Sequence, residues 1–450
     1  MDRETAEPQV SDLPGDRADR WVQCHQRHAA PSTYVYDFVW DVTEPATGPF
    51  CTDVDGNVLM DFTAHVGAAP LGYNHPDLLD RVGEFDLVDP TKIAGQDFYV
   101  AGGWPPADPP FPGPTQLMDR LTDRCDHYGL DTVFLSNSGA EAVENALKIC
   151  YDDRPRADHV ITFTGAFHGR TLATLSLNRS KTVHRRWFPE LPGVEAVPFC
   201  EDPDCSRSSC SCGYFPDGDA ASALRRLFDE RGSLDPESVA AVVIEPIQGE
   251  GGYRVPSDAF GADLDAVCAD YDLPLVVDEV QAGMGRTGEW WGSDHFDFDP
   301  DVITAGKALR VGATVADADT FPDEQGRLSS TWGAGDLLAS LQGVLTMDVI
   351  EDNDLLANAT ERGAQFRERL TRSLPAGAES VRGVGLMVAV HFDAAARRNA
   401  AMAACLERGL LTIGCGESTL RLLPPLDVTP REIDLAADLF LEAAREVAPA

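Results

Sequence analysis

Lysine is nearly missing from this sequence. Four are present, Lys92, Lys148, Lys181 and Lys307, among 450 residues that carry 74 acidic side chains. All basic residues together number 36, which leaves a net charge of −38. A chain this negative repels phosphodiester backbones and anionic headgroups, which excludes nucleic acid and acidic membranes as partners. Long apolar runs are missing as well; none approaches the roughly 20 residues that span a bilayer. The opening residues, MDRETAEPQVSDLPGDRADR, are polar and acidic without an apolar stretch. That excludes a secretory signal and predicts a soluble, cytoplasmic protein. The shortage of lysine beside so many acids suits a salt-rich cytoplasm, where ions screen the self-repulsion, and predicts a halophilic host.

What is present is enough apolar sequence for a large core, 43% of residues, in a chain long enough for one large α/β unit or two to three domains. The chain is organised around residues 273–307, LPLVVDEVQAGMGRTGEWWGSDHFDFDPDVITAGK. Its apolar opening reads as a strand buried on both faces, as in a parallel sheet. Asp278 and Glu279 follow at the carboxyl end, where open α/β sheets place ligand chemistry. A Gly-rich loop leads to a second short apolar run, and that run ends at Lys307. A carboxylate and a lysine at two strand ends match the two parts that pyridoxal phosphate requires. An amine must join its aldehyde, and a carboxylate must keep its ring nitrogen protonated. A strand-capping acid and a surface lysine are the plain alternative for the pair taken without its flanking residues.

Those flanking residues carry a resemblance. The DEVQ-G-GRTG run with its downstream lysine resembles the signature of the class III pyridoxal-phosphate-dependent aminotransferases. The segments DVDGN and LGYNHP, near residues 53–76, resemble the amino-terminal region of the same family. In its motifs the chain is most similar to the branch of 4-aminobutyrate and L-lysine 6-aminotransferases. The resemblance runs from about residue 50 to the end. It implies fold type I, with a large domain of mostly parallel sheet flanked by helices and a smaller α+β domain. The expected boundaries are a mobile or draped arm at 1–30, small-domain sequence at 31–75 and 341–450, and the large domain at 76–340. The Pro- and Gly-rich run at 104–114 is expected to be a loop bordering the active site.

The resemblance also assigns residues. Lys307 and Asp278 become the catalytic pair. At 131–150 the period changes from strand to polar turn to amphipathic helix, and a helix start behind a Ser/Gly turn offers free N–H groups to a phosphate. An ordinary capped helix shares that spacing; the family selects a phosphate cradle of Ser138, Gly139 and Ala140. Phe167 and His168 occupy positions that stack on the cofactor ring. Glu245 and Gln281 fall in the cofactor site, Gln281 at its phenolic oxygen. Thr331 matches a threonine that reaches the phosphate from a partner subunit, which implies a homodimer with shared active sites. Arg170, in FHGR, matches the arginine that grips an ω-amino acid's carboxylate, a task suited to a guanidinium fork. Glu250 matches the acid that masks a second arginine, here Arg421, until 2-oxoglutarate arrives.

The implied reaction is transamination of an ω-amino acid, of 4-aminobutyrate or lysine/ornithine type, with 2-oxoglutarate as acceptor. An acetylornithine/ornithine-type or general α-amino-acid aminotransferase, or an amino-acid racemase, would share the cofactor residues. A non-catalytic binding protein on the same fold is the reading from another class, and it conflicts with the presence of both Lys307 and Asp278.

Four of the eleven cysteines, Cys200, Cys205, Cys210 and Cys212, crowd into one loop. Thiolates that close fit a tetrahedral zinc site or an iron–sulfur cluster, and reduced thiols in a loop are the alternative.

Overall fold

The computed structural model describes residues 1–32, 38–85, 111–201, 205, 208–216, 221–229 and 231–449. Most of the loop expected at 104–114 lies outside them. The chain forms two compact units, Met1–Leu79 together with Ala357–Ala450, and Asp80–Leu356. The division therefore comes later than residue 340, which sits inside the largely buried helix Leu337–Asp352.

The first unit opens with a helix, Asp16–Gln26, and a hairpin of β1, Phe50–Thr52, and β2, Val58–Asp61. The DVDGN turn joins them because the Asp53 carboxylate accepts from the N–H groups of Asp55 and Asn57, while Gly56 takes φ +88. The first residues lie against this unit. Gln9 bridges to Val58, and Arg3 reaches Asp427 at 2.6 Å and Glu432 at 2.8 Å.

The second unit is built on a seven-stranded sheet. Its strands are β3 (Thr132–Ser136), β4 (His159–Phe163), β5 (Val194–Val197), β6 (Val239–Ile244), β7 (Leu275–Asp278), β8 (Val302–Ala305) and β9 (Gly312–Ala316), in the order β3-β9-β8-β7-β6-β4-β5. The pairs from β5 through β8 are parallel, and β9 runs against both neighbours. β6 is buried at every residue, as an apolar run without alternation requires when helices cover both faces. Ala241 and Val243 meet Val143, Ala146 and Leu147 of the helix Gly139–Asp153 on one face. Val242 and Ile244 meet Phe260, Leu264 and Val267 of the helix Asp258–Tyr271 on the other. The mostly parallel α/β sheet expected from the sequence is present.

The chain then returns to the first unit. β10 (Ala378–Val384), β11 (Met387–Phe392), β13 (Ile413–Cys415) and β14 (Thr419–Leu422) form an antiparallel sheet ordered β10-β11-β14-β13, while β12 (Leu410–Leu411) pairs with β2. No helix among the described residues is long and apolar enough to cross a membrane.

Candidate active site

β7 and β8 are parallel neighbours, and their register sets Asp278 opposite Thr304. Two residues beyond β8, after Gly306, Lys307 opens the short helical turn Lys307–Leu309. The adjacency expected from the sequence therefore rests on backbone pairing: both functional groups leave the same edge of the sheet. Lys307 takes φ +47, a left-handed conformation in which a non-glycine residue stores strain.

The helix start at Gly139 faces this edge. A Cβ on Gly306 would lie 3.0 Å from the Gly139 Cα, and a Cβ on Gly139 would lie 2.6 Å from Val280. Both positions are closed to larger side chains, so the helix terminus sits against the two loops. Ser138 caps the helix through its hydroxyl, which accepts from Glu141 N, and its carbonyl accepts from Ala142 N. Among the described residues, that leaves the N–H groups of Gly139 and Ala140 for an anion. The Glu141 carboxylate, at the same terminus, accepts from Asn137 N at 2.7 Å and from the Thr331 hydroxyl at 3.1 Å. Thr331 also accepts from Asn137 Nδ2 at 2.7 Å. The structure thus seats Thr331 against Asn137 and Glu141 of its own chain.

Asp278 is buried. Its Oδ1 accepts from Val280 N at 3.1 Å, and its Oδ2 lies 2.9 Å from His168 Nδ1. A carboxylate that only accepts fixes His168 with the proton on Nδ1. His168 Nε2 is buried without a partner. The stacking role expected of His168 does not include this pairing, which the long sequence separation hides. Asn178 was not singled out in the sequence. Its side chain accepts from His168 N at 2.7 Å and donates to Gly169 O at 2.8 Å, which stitches the FHGR turn in place. No spacing rule points to it, because an asparagine ending a short helix reads as an ordinary cap.

Glu245 supports the same turn, accepting from Phe167 N and Gly249 N, each at 2.7 Å. Burial pushes its carboxyl up to about 7, against the opposing pull of His168 and these two N–H donors. The folded value lies above the ordinary 4.5, so the native state holds a proton that the unfolded chain releases. The resulting stability is full below the unfolded value and is lost as pH rises through the folded one, by about 3 kcal/mol at most. Glu279 is also pushed up to about 7 by burial and adds to the same slope. Thermal melts from about pH 5 to about pH 8 should therefore show falling stability, and Glu245→Gln should flatten part of the fall. An unchanged slope in the variant would remove Glu245 from the account.

Lys307, Asp278, His168, Glu245 and the turn at Ser138, Gly139 and Ala140 line a cavity of about 460 Å³, within the range of small-molecule sites. Gln281 lines it too and leaves its buried amide oxygen without a partner. At the rim stands Arg170, exposed, with its guanidinium 5.4 Å from the Phe167 ring centre. Among the described residues it meets no carboxylate. Glu250, also on the rim, forms an ion pair with Lys181. Lys181 is a second residue that the sequence reading passed over, although its rarity as a lysine was the available signal. Arg421 lies on β14 of the first unit, where its side chain is buried. The four clustered cysteines lie in the second unit, and none forms a disulfide.

Comparisons with known proteins cover nearly the whole chain. The family described as Aminotransferase class-III matches residues 35–444. The chain is 31% identical to an acetylornithine aminotransferase of Archaeoglobus fulgidus over 94% of its own length and 99% of the relative's. It is 30% identical to ornithine aminotransferase 2 of Staphylococcus aureus, over 88% and 92% of the two chains. Among solved structures it is similar to the lysine aminotransferase from M. tuberculosis, with a TM-score of 0.83, 29% identity, and coverage of 96% and 100%.

Proposed function

This chain belongs to the class III aminotransferases, and from that premise we propose that it transfers the terminal amino group of an ω-amino acid to 2-oxoglutarate. The protein is a pyridoxal-phosphate-dependent enzyme, and its residues fit that cofactor. The free N–H groups at Gly139 and Ala140 suit a phosphate, and Asp278 suits a protonated ring nitrogen. The unpartnered Gln281 oxygen and His168 Nε2 are polar atoms that a bound group or water satisfies. When bound, pyridoxal phosphate supplies an aldehyde for the amine and a ring that stores the electron pair from the substrate carbon.

In this reading each residue has one task. Lys307 holds the cofactor through its Nζ and, once released, moves a proton at the substrate's amine-bearing carbon. Asp278 keeps the ring nitrogen protonated, and His168 keeps Asp278 in place. Ser138, Gly139 and Ala140 hold the phosphate, with Thr331 at the same end. Phe167 covers the ring, and Glu245 fixes the Phe167 backbone. Arg421 takes the acceptor's carboxylate, an assignment carried by the sequence pattern.

The observation that carries the donor assignment is Arg170, an exposed guanidinium on the cavity rim without a carboxylate partner among the described residues. A substrate carboxylate gives it one. Donors of the lysine or ornithine type, the N-acetylated form included, are favoured over 4-aminobutyrate, because the named relatives and neighbour are acetylornithine, ornithine and lysine aminotransferases. Losing a bidentate charge-assisted pair costs about 1.5–3 kcal/mol, so Arg170→Ala should lower kcat/KM for the best ω-donor by roughly 10- to 100-fold. Steady-state assays with lysine, ornithine, 4-aminobutyrate and alanine, in molar salt, check this. If α-amino acids alone serve, indifferently to Arg170, a general α-aminotransferase or a racemase replaces the ω reading.

The exposed Trp332 beside Thr331, and exposed Trp187 and Phe188, supply apolar area that a second copy would cover, which supports a homodimer. The acidic, lysine-poor composition supports a cytoplasmic, halophilic setting.

A further inference from the structure

The loop after β5 contains a group that transamination does not use. The sulfur atoms of Cys200, Cys205, Cys210 and Cys212 all lie within 4.8 Å of one another. Cys200 and Cys205 are buried, and Cys210 and Cys212 are half-buried. We propose that these four thiolates form a structural, mononuclear zinc site that closes the loop.

Size is the first argument. With zinc–sulfur bonds of about 2.3 Å, a tetrahedron of thiolates has edges of about 3.8 Å. Four sulfurs already within 4.8 Å need to close by only about an ångström to reach it. A cluster of two or four irons seats the thiolates on different irons and holds them further apart. The compactness therefore selects a single ion.

The surroundings point the same way. Glu201 N donates to Cys212 Sγ at 3.3 Å, and Phe215 N donates to Cys210 Sγ at 3.4 Å. Backbone N–H groups aimed at sulfur stabilise a negative thiolate and orient it, as outer partners of metal ligands do. Ser257 Oγ lies 3.5 Å from Cys200 Sγ. Gly213, at φ +81, turns the chain immediately after Cys212 and carries Tyr214 and Phe215 into the core with Phe199 and Phe260. Four protein ligands leave no open coordination position, so the site is structural. Binding releases the thiol protons and leaves a tetrathiolate zinc of charge −2, and no oxidant takes part.

The site also answers a need of the sequence. Between β5 and the short turn at Pro236, no strand or α-helix is formed among the described residues. Phe199, Tyr214 and Phe215 anchor parts of this segment in the core, and one ion with four ligands would tie the cysteines to those anchors.

The test uses the full-length holoenzyme, expressed in zinc-supplemented medium and purified in molar salt without oxygen, added metal or chelator. Elemental analysis is expected to find about one zinc per chain and no acid-labile sulfide. Exchange with cobalt should give the intense visible bands of a tetrahedral thiolate complex. Cys210→Ser/Cys212→Ser should drop zinc at least tenfold while cofactor absorbance stays, and Cys24→Ser, on the helix Asp16–Gln26 and not one of the four clustered cysteines, should keep both. Wild-type protein with under a tenth of a zinc per chain would overturn the proposal, and so would iron with labile sulfide. Should the double variant fail to fold, the wild-type zinc content and cobalt spectrum still decide.

Discussion

Lys307→Ala is expected to fold, to take up pyridoxal phosphate, and to lose transamination by about 10⁴-fold or more. Two losses combine in this variant. The amine that holds the cofactor covalently is gone, and so is the group that moves the proton at the substrate carbon, a role worth typically 10²- to 10⁴-fold alone. Folding should survive, because Lys307 is half-buried at the start of a short turn rather than in the core. Alanine tolerates the left-handed φ of +47 about as poorly as lysine does, so the substitution neither adds nor relieves much strain. Three measurements separate chemistry from collapse. Activity should fall to near background, the melting temperature should move by only a few degrees, and the visible absorption of cofactor held through lysine should vanish. Added small alkylamines should restore part of the rate, since they supply a free base to the emptied space. A variant with wild-type activity would end the assignment of Lys307.

Asp278→Asn carries the second-largest effect, a loss on the order of 10³-fold in kcat, with binding of the cofactor weakened less. A carboxylate aimed at a ring nitrogen stabilises charge where it develops, and removing one such group costs about 10²- to 10³-fold or more. The amide keeps the shape but not the charge. It also presents an N–H₂ to His168 Nδ1, which already carries a proton in the present pairing. The histidine must then change tautomer or break contact. His168→Gln, which removes the positioning contact alone, should cost less, about 10- to 100-fold, and should shift the pH profile of kcat. Equal losses in the two variants would mean that Asp278 acts only as a holder of His168. A wild-type rate in Asp278→Asn would remove the ring-nitrogen role.

The sequence by itself determined the parts of this protein that are written locally. Short apolar runs between turn residues become the buried strands β6, β7 and β8, because a strand covered on both faces needs no alternation. Lys307 falls two residues after β8 and Asp278 ends β7, so one motif places both at the same sheet edge. The Ser138-Gly139 turn likewise shows its helix start directly, since the cap and the first helical turn are neighbours in the chain.

Tertiary structure decided the contacts between distant segments. His168 meets Asp278, Glu250 meets Lys181, and Asn178 holds the FHGR turn, none of which a periodic pattern encodes. Strand order brings the first two pairs together from loops far apart in sequence, whereas Asn178 folds back on the turn across one short helix. The sequence left the crowded cysteines open between a metal and reduced thiols, because spacing does not say where sulfur atoms point. A glycine turn and an aromatic core bring them within reach of one ion. Side-chain direction is set by packing, and packing exists only once the chain has folded.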